Sequence, residues 1–313
     1  MAQAIEYVEF GDPEVLTLQD VTSSAPAAGE VTVRLAAVGV NPLEAKIRSG
    51  RRPSGPITSP RGLGADAAGT ISAIGPDVEG FRVGDPVIVF GAAGTYATEI
   101  TLPFAHVQPR PVHVSAAEGA ALGIPAGTAY QTLRSLDVRP GDTLLVHGGS
   151  GAVGQAVVQF ASLWGVPVVA TASPRRHERV RTLGGIPVAY GDGLEQRVRD
   201  AAPQGITTVI DIAGTDEAID VSLRLVADRR RIVTLVRGKD AADLGIRAFL
   251  GGSPEPLTAR AQQLRAEAMP VTLNLMAAGR FSVELGPSFP LAEAAEAHRA
   301  LEAGVDGKIT LVP

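Results

Sequence analysis

The sequence predicts an α/β protein with a β-rich domain and a second domain built on a doubly wound parallel sheet. Three observations support this prediction. The chain has 313 residues, enough for two domains of ordinary size. Up to about Pro111, short β-rich segments alternate with Gly and Pro. From about Ser115 to Gly238, strand and helix patterns alternate, which is typical of a parallel sheet covered by helices.

The composition narrows the class of protein. Hydrophobic residues make up 45% of the chain and the formal net charge is −5, which fits a soluble globular protein and disfavours nucleic-acid binding. The absence of cysteine excludes disulfides and thiolate metal sites, and none of the five histidines has a metal-ligand spacing. No secretory signal or membrane span is recognisable. We therefore expect a cytoplasmic protein that binds no metal, no nucleic acid and no membrane.

The first and last parts of the chain are expected to supply the β-rich domain. The segments EVTVRLAAVGV, GTISAIG, GDPVIVF and ATEITLP have the character of strands and are separated by turn residues. After about Val271 the pattern predicts the end of a helix, a strand at FSVEL, a helix at LAEAAEAHRALEAG and a final strand at KITLV.

Strands and helices follow one another in the middle part of the chain. The expected strands are DTLLVHG, VPVVAT, IPVAY, TTVIDIAG and RRIVTLV. AVGQAVVQFASLWG is an expected helix, because its apolar residues recur at helical spacing and Gly165 ends it. SPRRHERVRTLGG is a second, with Ser173 at its N-cap and Gly184 at its exit.

A glycine-rich loop joins the first of these strands to the first helix. Gly149, Gly151 and Gly154 form the pattern GxGxxG. The first glycine permits a tight turn, the second lets the backbone approach a pyrophosphate, and the third lets helix and strand pack closely. Free N–H groups at the start of the helix attract phosphates. The pattern predicts a dinucleotide site, with a turn that binds nothing as the alternative. Its expected residues are Gly149, Ser150, Gly151, Ala152, Val153 and Gly154.

The end of the second strand decides between NADH and NADPH. An NAD site has an acidic residue here, which binds the ribose 2′-hydroxyl. This sequence has no acid but offers Thr171, Ser173, Arg175 and Arg176. Guanidinium groups bind phosphate in a bidentate manner, so we expect NADPH as the cofactor. The alternative is that the two arginines belong to the solvated face of a helix.

Four segments of the sequence resemble one known family. GDTLLVHGGSGAVGQAVVQFA resembles the glycine-loop segment of the zinc-independent, zeta-crystallin-like quinone oxidoreductases, a family of the medium-chain dehydrogenase/reductase superfamily. GADAAGTISAIGPDVEGFRVGDPV resembles the hallmark of that superfamily's β-rich domain, and VGVNPLEAKIRSG resembles the strand with its active-site Asn-Pro pair. GKITLVP resembles the family's last strand. The resemblance covers nearly the whole chain.

This resemblance implies a GroES-like catalytic domain, formed by residues 1–113 and 272–313, and a Rossmann NADPH-binding domain over residues 114–271. It also implies an enzyme without zinc, since Asn41 and the Ala65-Asp66 pair stand where zinc-containing relatives have metal ligands. Asn41 is expected to donate a hydrogen bond to the substrate oxygen. A plain turn residue is the alternative for Asn41.

The resemblance assigns further residues to the cofactor. Thr128 is expected near the nicotinamide amide, and Asp211 and Gly214 are expected near the nicotinamide ribose. Tyr190 is expected near the 2′-phosphate, with packing in the core as the alternative.

Two cations depart from the pattern of the family. Quinone reductases usually carry aromatic residues where this chain has Lys46 and Arg52. We expect Arg52 at the mouth of the substrate pocket, where it would favour an anionic or oxygen-rich substrate. The alternative is that the cations of this loop are simply solvated. Lys46 and Tyr130 are the candidate proton donors, with water as an alternative donor and packing as an alternative role for Tyr130.

These features predict an NADPH-dependent enzyme that transfers a hydride to a small-molecule quinone or α,β-unsaturated carbonyl. The alternatives are an enoyl-thioester reductase of fatty-acid or polyketide type and a non-catalytic NADPH-binding regulatory protein. By analogy with relatives, the strand-like segment GIRAFLG is expected to pair with its copy in a homodimer.

Overall fold

The computed structural model describes residues 2–52, 54–249 and 257–313. The chain divides into two compact units. The first comprises Met1–Ile124 and Met269–Pro313, and the second comprises Pro125–Ala268. The second unit is therefore inserted into the sequence of the first.

The strands of the described residues are β1 (Ala2–Tyr7), β2 (Thr17–Val21), β3 (Glu30–Gly39), β4 (Arg61–Gly62), β5 (Asp66–Ile74), β6 (Pro86–Val89), β7 (Glu99–Pro103), β8 (Val107–Pro109), β9 (Leu144–His147), β10 (Val168–Thr171), β11 (Ile186–Val188), β12 (Thr208–Asp211), β13 (Ile232–Thr234), β14 (Arg247–Ala248), β15 (Leu285–Pro290) and β16 (Lys308–Val312).

The α-helices of the same residues are α1 (Pro42–Arg48), α2 (Ala116–Ala120), α3 (Gly123–Ser135), α4 (Ala152–Leu163), α5 (His177–Thr182), α6 (Leu194–Ala201), α7 (Asp216–Leu225), α8 (Ala259–Ala277) and α9 (Ala294–Ala303). Short 3₁₀ helices lie at Pro13–Val15, Phe104–His106, Pro174–Arg176, Arg229–Arg231 and Leu291–Glu293.

The second unit is built on a parallel sheet. Among the described residues it has six strands in the order β11-β10-β9-β12-β13-β14, and every pairing is parallel. The four residues of β9 are all buried, as is usual for a strand with helices on both faces. Because the strands are parallel, β9, β10 and β12 end at the same edge of the sheet. The predicted Rossmann-type domain is confirmed.

The first unit is β-rich and mostly antiparallel. In the described part of the chain, one sheet has the order β15-β16-β3-β5-β6-β8, with β7 also paired to β3, and a smaller one has the order β2-β1-β4. The long strand β3 pairs with β5, β7 and β16, so it links the early strands to the end of the chain. Its apolar residues face a core shared by both sheets. The predicted GroES-like β domain is confirmed.

One predicted strand was placed wrongly. FSVEL was expected to form a strand, but residues 281–284 are irregular and β15 covers Leu285–Pro290. The pairing partner decides the position, because β15 runs parallel to β16 with Leu285 opposite Lys308 and Pro290 opposite Val312. Proline is tolerated in β15 because this strand lies at the edge of its sheet.

Candidate active site

The glycine-rich loop lies between β9 and α4, at the carboxyl edge of the parallel sheet. Thr171, the last residue of β10, holds it at two points. Its hydroxyl accepts a hydrogen bond from the backbone N–H of Gly148 at 3.0 Å, and its carbonyl accepts one from the N–H of Gly149 at 2.9 Å. Thr171 is buried. This residue, predicted as a cofactor ligand, thus contacts the loop that was predicted to hold the cofactor.

The glycines of the loop have distinct surroundings. A Cβ added to Gly149 would lie 2.5 Å from the Cβ of Ala170, and one added to Gly154 would lie 2.2 Å from the carbonyl oxygen of Gly148. A Cβ added to Gly151 would have no neighbour closer than 3.7 Å. The first and third glycines are thus required for packing, whereas the second leaves open space in front of the backbone. These properties fit the roles of the GxGxxG pattern around a dinucleotide pyrophosphate.

Helix α4 begins at Ala152, directly after the loop, with Gly151 as its N-cap. In the described part of the chain no side chain caps this end, and its first turn contains no acidic residue. The first N–H groups of a helix, here those of Ala152 and Val153, have no carbonyl partner within the helix. Together with the helix dipole they favour a bound phosphate.

The carbonyl of Ser150 ties the loop to the cationic segment that follows β10. It accepts hydrogen bonds from Nε2 of Gln155 at 2.8 Å and from Nη2 of Arg176 at 3.5 Å. Oε1 of Gln155 in turn accepts one from Nε of Arg179 at 2.9 Å. The structure therefore places two guanidinium groups beside the loop, while Arg175 is exposed on the 3₁₀ helix that Ser173 precedes.

Asp211 ends β12, the strand next to β9, and is fully buried. Its Oδ1 accepts hydrogen bonds from the N–H groups of Ala213 at 3.0 Å and Gly214 at 2.8 Å, and its Oδ2 accepts one from the hydroxyl of Thr234 at 2.8 Å. The carboxylate thus shapes the turn after β12. Gly214 has a φ of +70°, and an added Cβ would lie 2.6 Å from Cγ2 of Val236. Only glycine suits this position.

Three other predicted residues of the second unit lie in different surroundings. Tyr190 is 60% exposed, so packing in the core is wrong as its alternative role. Thr128 is buried within α3. The ring of Tyr130 packs edge-on against Phe160 and Trp164, with centroids 5.5 and 5.8 Å away. These contacts give Tyr130 a packing role in α3.

Asn41 belongs to the first unit, where it is the N-cap of α1 and 1% exposed. Its Nδ2 donates hydrogen bonds to Oε1 of Glu44 at 3.3 Å and to Oδ2 of Asp66 at 3.2 Å. Its Oδ1 accepts one from Nζ of Lys308. Both amide hydrogens therefore point to carboxylates. A substrate oxygen could take a hydrogen bond from this amide only by displacing one of them.

We call these four side chains, Asn41, Glu44, Asp66 and Lys308, the buried polar cluster. Local sequence explains part of it, since the backbone N–H of Asn41 donates to Oε2 of Glu44 at 2.8 Å in a capping box. Oδ2 of Asp66 also accepts the N–H of Ile124 at 2.8 Å. All four side chains are at most 4% exposed.

Burial dominates the titration of the buried polar cluster. It raises the pKa of Glu44 to about 7, an effect that the ammonium of Lys308 opposes and the carboxylate of Asp66 increases. Burial lowers the pKa of Lys308, whereas Asp66 and Glu44 favour its charged form. Burial thus favours the neutral forms of Glu44 and Lys308, and the attraction between their opposite charges favours the charged forms.

The structure brings the two predicted cations together at the end of α1. Lys46 and Arg52 are both half-buried, and the N–H of Arg52 donates to the carbonyl of Lys46 at 2.9 Å. Burial lowers the pKa of Lys46, and the positive charges of Arg51 and Arg52 lower it further. Lys46 can therefore release a proton more readily than an exposed lysine.

Sequence reasoning missed several of these residues as site residues. Glu44 could have been found from the capping-box spacing in Asn-Pro-Leu-Glu, which places Glu at the third helical position. Lys308 carries a weaker signal, a single charge at the start of an apolar strand. Gln155 belongs to the segment that resembles the family's glycine loop, but the resemblance assigned it no contact. Arg179 gives no local signal, because its role depends on how α4 and α5 pack.

Residues 2–52, 54–249 and 257–313 contain no group of three or more His, Asp or Glu side chains that could hold a metal ion. Among the helices of those same ranges, none combines the length and the apolar character needed to cross a membrane.

Two family models match the chain. Residues 27–112 match the alcohol dehydrogenase GroES-like domain, and residues 188–311 match the zinc-binding dehydrogenase domain. A GroES-like unit interrupted by a parallel-sheet unit with a GxGxxG loop is the architecture of medium-chain dehydrogenases/reductases.

Several similar proteins are quinone oxidoreductases. The quinone oxidoreductase of Homo sapiens is 32% identical over 340 residues, covering 100% of this chain and 98% of that protein. The quinone oxidoreductase of Pseudomonas aeruginosa is 30% identical, with 100% of both chains covered. The structure of Escherichia coli quinone oxidoreductase complexed with NADPH has a TM-score of 0.83 and 26% identity, covering 99% of this chain and 100% of that one. The chain belongs to the quinone oxidoreductase family of this superfamily.

Proposed function

We propose that the protein is an NADPH-dependent oxidoreductase that transfers a hydride to a quinone or an α,β-unsaturated carbonyl. The glycine loop carries this proposal, because Gly151 leaves open space before the backbone while Gly149 and Gly154 are closely packed. The NADPH in the E. coli relative and the name quinone oxidoreductase of the human and P. aeruginosa relatives support the same activity. NADPH supplies the hydride when bound, and the chain binds and orients it.

The second unit is the cofactor-binding one in this proposal. The loop from Gly149 to Gly154, with the start of α4, holds the pyrophosphate. Arg176 and Arg175 pair with the 2′-phosphate, next to Ser173 and the exposed ring of Tyr190. The nicotinamide end is assigned to Thr128 and Gly214. Thr171 and Asp211 support the site through the turns that they hold.

The first unit is the catalytic one, and it contributes the substrate side. Of the two candidate proton donors we favour Lys46, because burial and the neighbouring arginines lower its pKa, whereas Tyr130 packs against two aromatic rings. Arg52 beside it favours an anionic or oxygen-rich acceptor. The Arg52→Ala variant should lose turnover of a sulfonated quinone but keep that of neutral 1,4-benzoquinone. Equal turnover ratios in variant and wild type would contradict this role.

The test of the main proposal is a titration with NADPH and NADH, followed through nicotinamide fluorescence. We then add 1,4-benzoquinone, a simple enone or a 2-enoyl thioester and measure NADPH oxidation. Oxidation by quinone or enone is expected. Oxidation by the thioester alone would favour the enoyl-thioester reductase, and binding without oxidation by any acceptor would favour a regulatory role.

A matched pair of variants tests the 2′-phosphate assignment. Arg176→Ala should weaken NADPH binding by roughly tenfold and leave NADH binding nearly unchanged, since only NADPH has this phosphate. Arg181→Ala is the control, because Arg181 is exposed on the same segment and its guanidinium contacts Glu178. An equal loss for both cofactors in Arg176→Ala would contradict the assignment.

We further propose a homodimer and a cytoplasmic location. The dimer would form along β14 (Arg247–Ala248), the last strand in the order of the parallel sheet. The end of the predicted segment GIRAFLG lies outside the described residues. Light scattering should give about twice the chain mass of 32.2 kDa, and a single-chain mass would contradict the dimer. Cell fractionation tests the location.

A further inference from the structure

We propose that Lys308 is a positioning residue for Asn41: its ammonium fixes the orientation of the Asn41 amide and balances the carboxylates of the buried polar cluster. The catalytic consequence rests on the proposed function, with Asn41 as the residue that the sequence predicts to donate a hydrogen bond to the acceptor oxygen. The orientation itself rests only on contacts within the first unit.

The contacts select one orientation of the amide. Its nitrogen side faces Oε1 of Glu44 and Oδ2 of Asp66, and its oxygen side faces Nζ of Lys308. A 180° flip would turn the amide oxygen toward two carboxylates and the amide hydrogens toward an ammonium. Every hydrogen bond of the amide would then be replaced by two acceptors or two donors that face each other. Lys308 is therefore the group that gives the oxygen side its partner.

The charge of the cluster also depends on Lys308. Buried carboxylates are costly unless a cation or hydrogen bonds compensate them. The charged or titratable groups that interact with Glu44 are Lys308 from β16, Asp66 from β5 and Tyr96 from the segment before β7, and Tyr96 in turn interacts with Arg48 of α1. Tyr96 hydrogen-bonds His298 and Arg48 is paired with Glu302, so neither replaces the ammonium beside Asn41.

Loss of the ammonium has a definite direction. Lys308 lowers the pKa of Glu44, which already lies at about 7 because of burial. Without Lys308 this pKa rises, and Glu44 holds its proton at neutral pH. A protonated Glu44 no longer attracts the amide hydrogens of Asn41 as a charge. The amide then loses its partner on the oxygen side and the charge of one of its two partners on the nitrogen side, so only Asp66 still holds it as a charged acceptor.

The first experiment follows the surroundings of the Asn41 amide by NMR and does not depend on enzyme turnover. The side-chain amide signals of Asn41 are identified in a nitrogen-15 NMR spectrum by their loss in Asn41→Ser, and are followed from pH 5 to 9. In the wild type they should shift with the titration of Glu44, and this shift should be absent in Glu44→Gln. In Lys308→Met, whose side chain has a similar length, the midpoint should move to higher pH. Lys239→Met, at an exposed lysine, is the matched control.

The second experiment reads the catalytic consequence. Lys308→Met should lower kcat with a quinone by roughly tenfold while the Kd for NADPH, read in the second unit, stays the same. Adding Glu44→Gln should change kcat little further, because Glu44 already holds its proton in Lys308→Met. A merely structural role of Lys308 would predict a further loss in the double variant.

The outcomes separate the two proposals. An unmoved Asn41 midpoint in Lys308→Met would overturn the positioning role, whatever the activity. A wild type that binds NADPH but reduces no acceptor would overturn the proposed function, and the NMR midpoint would still decide the role of Lys308. If Lys308→Met does not fold, Glu44→Gln alone decides. Asn41 signals that still shift with pH in this variant as they do in the wild type would contradict the coupling of Asn41 to Glu44 in the buried polar cluster.

Discussion

The hydroxyl oxygen of Thr171 lies 3.0 Å from the backbone nitrogen of Gly148 and accepts its hydrogen bond. This contact joins the end of one parallel strand to the turn that leaves its neighbour. Because the carbonyl of the same residue accepts the N–H of Gly149, a single residue fixes two successive backbone groups of the loop.

Replacing the hydroxyl should therefore loosen the loop. In Thr171→Val the shape of the side chain is kept but Gly148 loses its acceptor, which costs about 1 kcal/mol in a partly buried position. We expect weaker NADPH binding and a lower Tm. Thr171→Ser retains the acceptor and is the control. Equal Kd values for the two variants would show that the hydrogen bond does not shape the site.

Alanine at two glycines of the loop should affect two different properties, the stability of the fold and the binding of NADPH. In Gly154→Ala the new Cβ would lie 2.2 Å from a backbone carbonyl oxygen, so we expect a large loss of Tm. In Gly151→Ala no atom lies within 3.7 Å and φ is −75°, so folding should be normal while NADPH binding is lost. Thermal melts and fluorescence titrations measure both. Normal NADPH affinity in Gly151→Ala would contradict the assigned pyrophosphate position.

Two buried histidines should make the protein sensitive to acid. Burial lowers the pKa of both His147 and His298 to about 4, below the value of 6.5 for a free histidine. As the pH falls, these histidines therefore bind protons at a higher pH in the unfolded chain than in the folded protein. The stabilisation is fully present above pH 6.5 and is lost as the pH falls toward 4.

A variant at one of these histidines tests whether the histidines cause the loss of stability at low pH. His298→Gln should show a smaller decrease in Tm between pH 7.5 and 5 than the wild type. The exposed His113 provides the control, and His113→Gln should follow the wild type. If His298→Gln keeps the full pH dependence, the acid sensitivity comes from other groups.

The hydroxyl of Tyr130 should be dispensable for turnover. Because the ring packs edge-on against Phe160 and Trp164, Tyr130→Phe should keep both kcat and Tm, whereas Tyr130→Ala should lower Tm through the lost ring contacts. Steady-state rates and thermal melts check this. A decrease in kcat above tenfold in Tyr130→Phe would restore this residue as a proton donor.

Local patterns predicted the parts of the site that lie close together in sequence. The GxGxxG loop, its strand and its helix form one continuous segment, so spacing alone defined them. The buried polar cluster could not be predicted in this way. Asn41 and Lys308 are 267 residues apart, and their contact depends on the pairing of β16 with β3. A single sequence does not specify such pairings.

Local sequence patterns were also insufficient to place β15, near the end of the chain. Prolines obscured β15, whose position is set by β16. Helix α8 continues through Pro270 to Ala277, in agreement with the helix end expected after about Val271. Proline predicts the end of a helix or strand because it lacks an N–H donor. In β15 the edge position makes that donor unnecessary. We have no comparable explanation for Pro270 from the contacts of the described residues.

The insertion of one unit into the sequence of the other has a consequence for biosynthesis. The segment Pro125–Ala268 is continuous, so it can fold as soon as it has left the ribosome. The central strand β3 is made early but must wait for its partner β16, which is translated after the whole inserted segment. Until then, β3 lacks a partner at Val38 and Gly39, and Asn41 lacks Lys308. The residues of β3 opposite β16 are therefore the ones that wait longest for their pairing partner during synthesis.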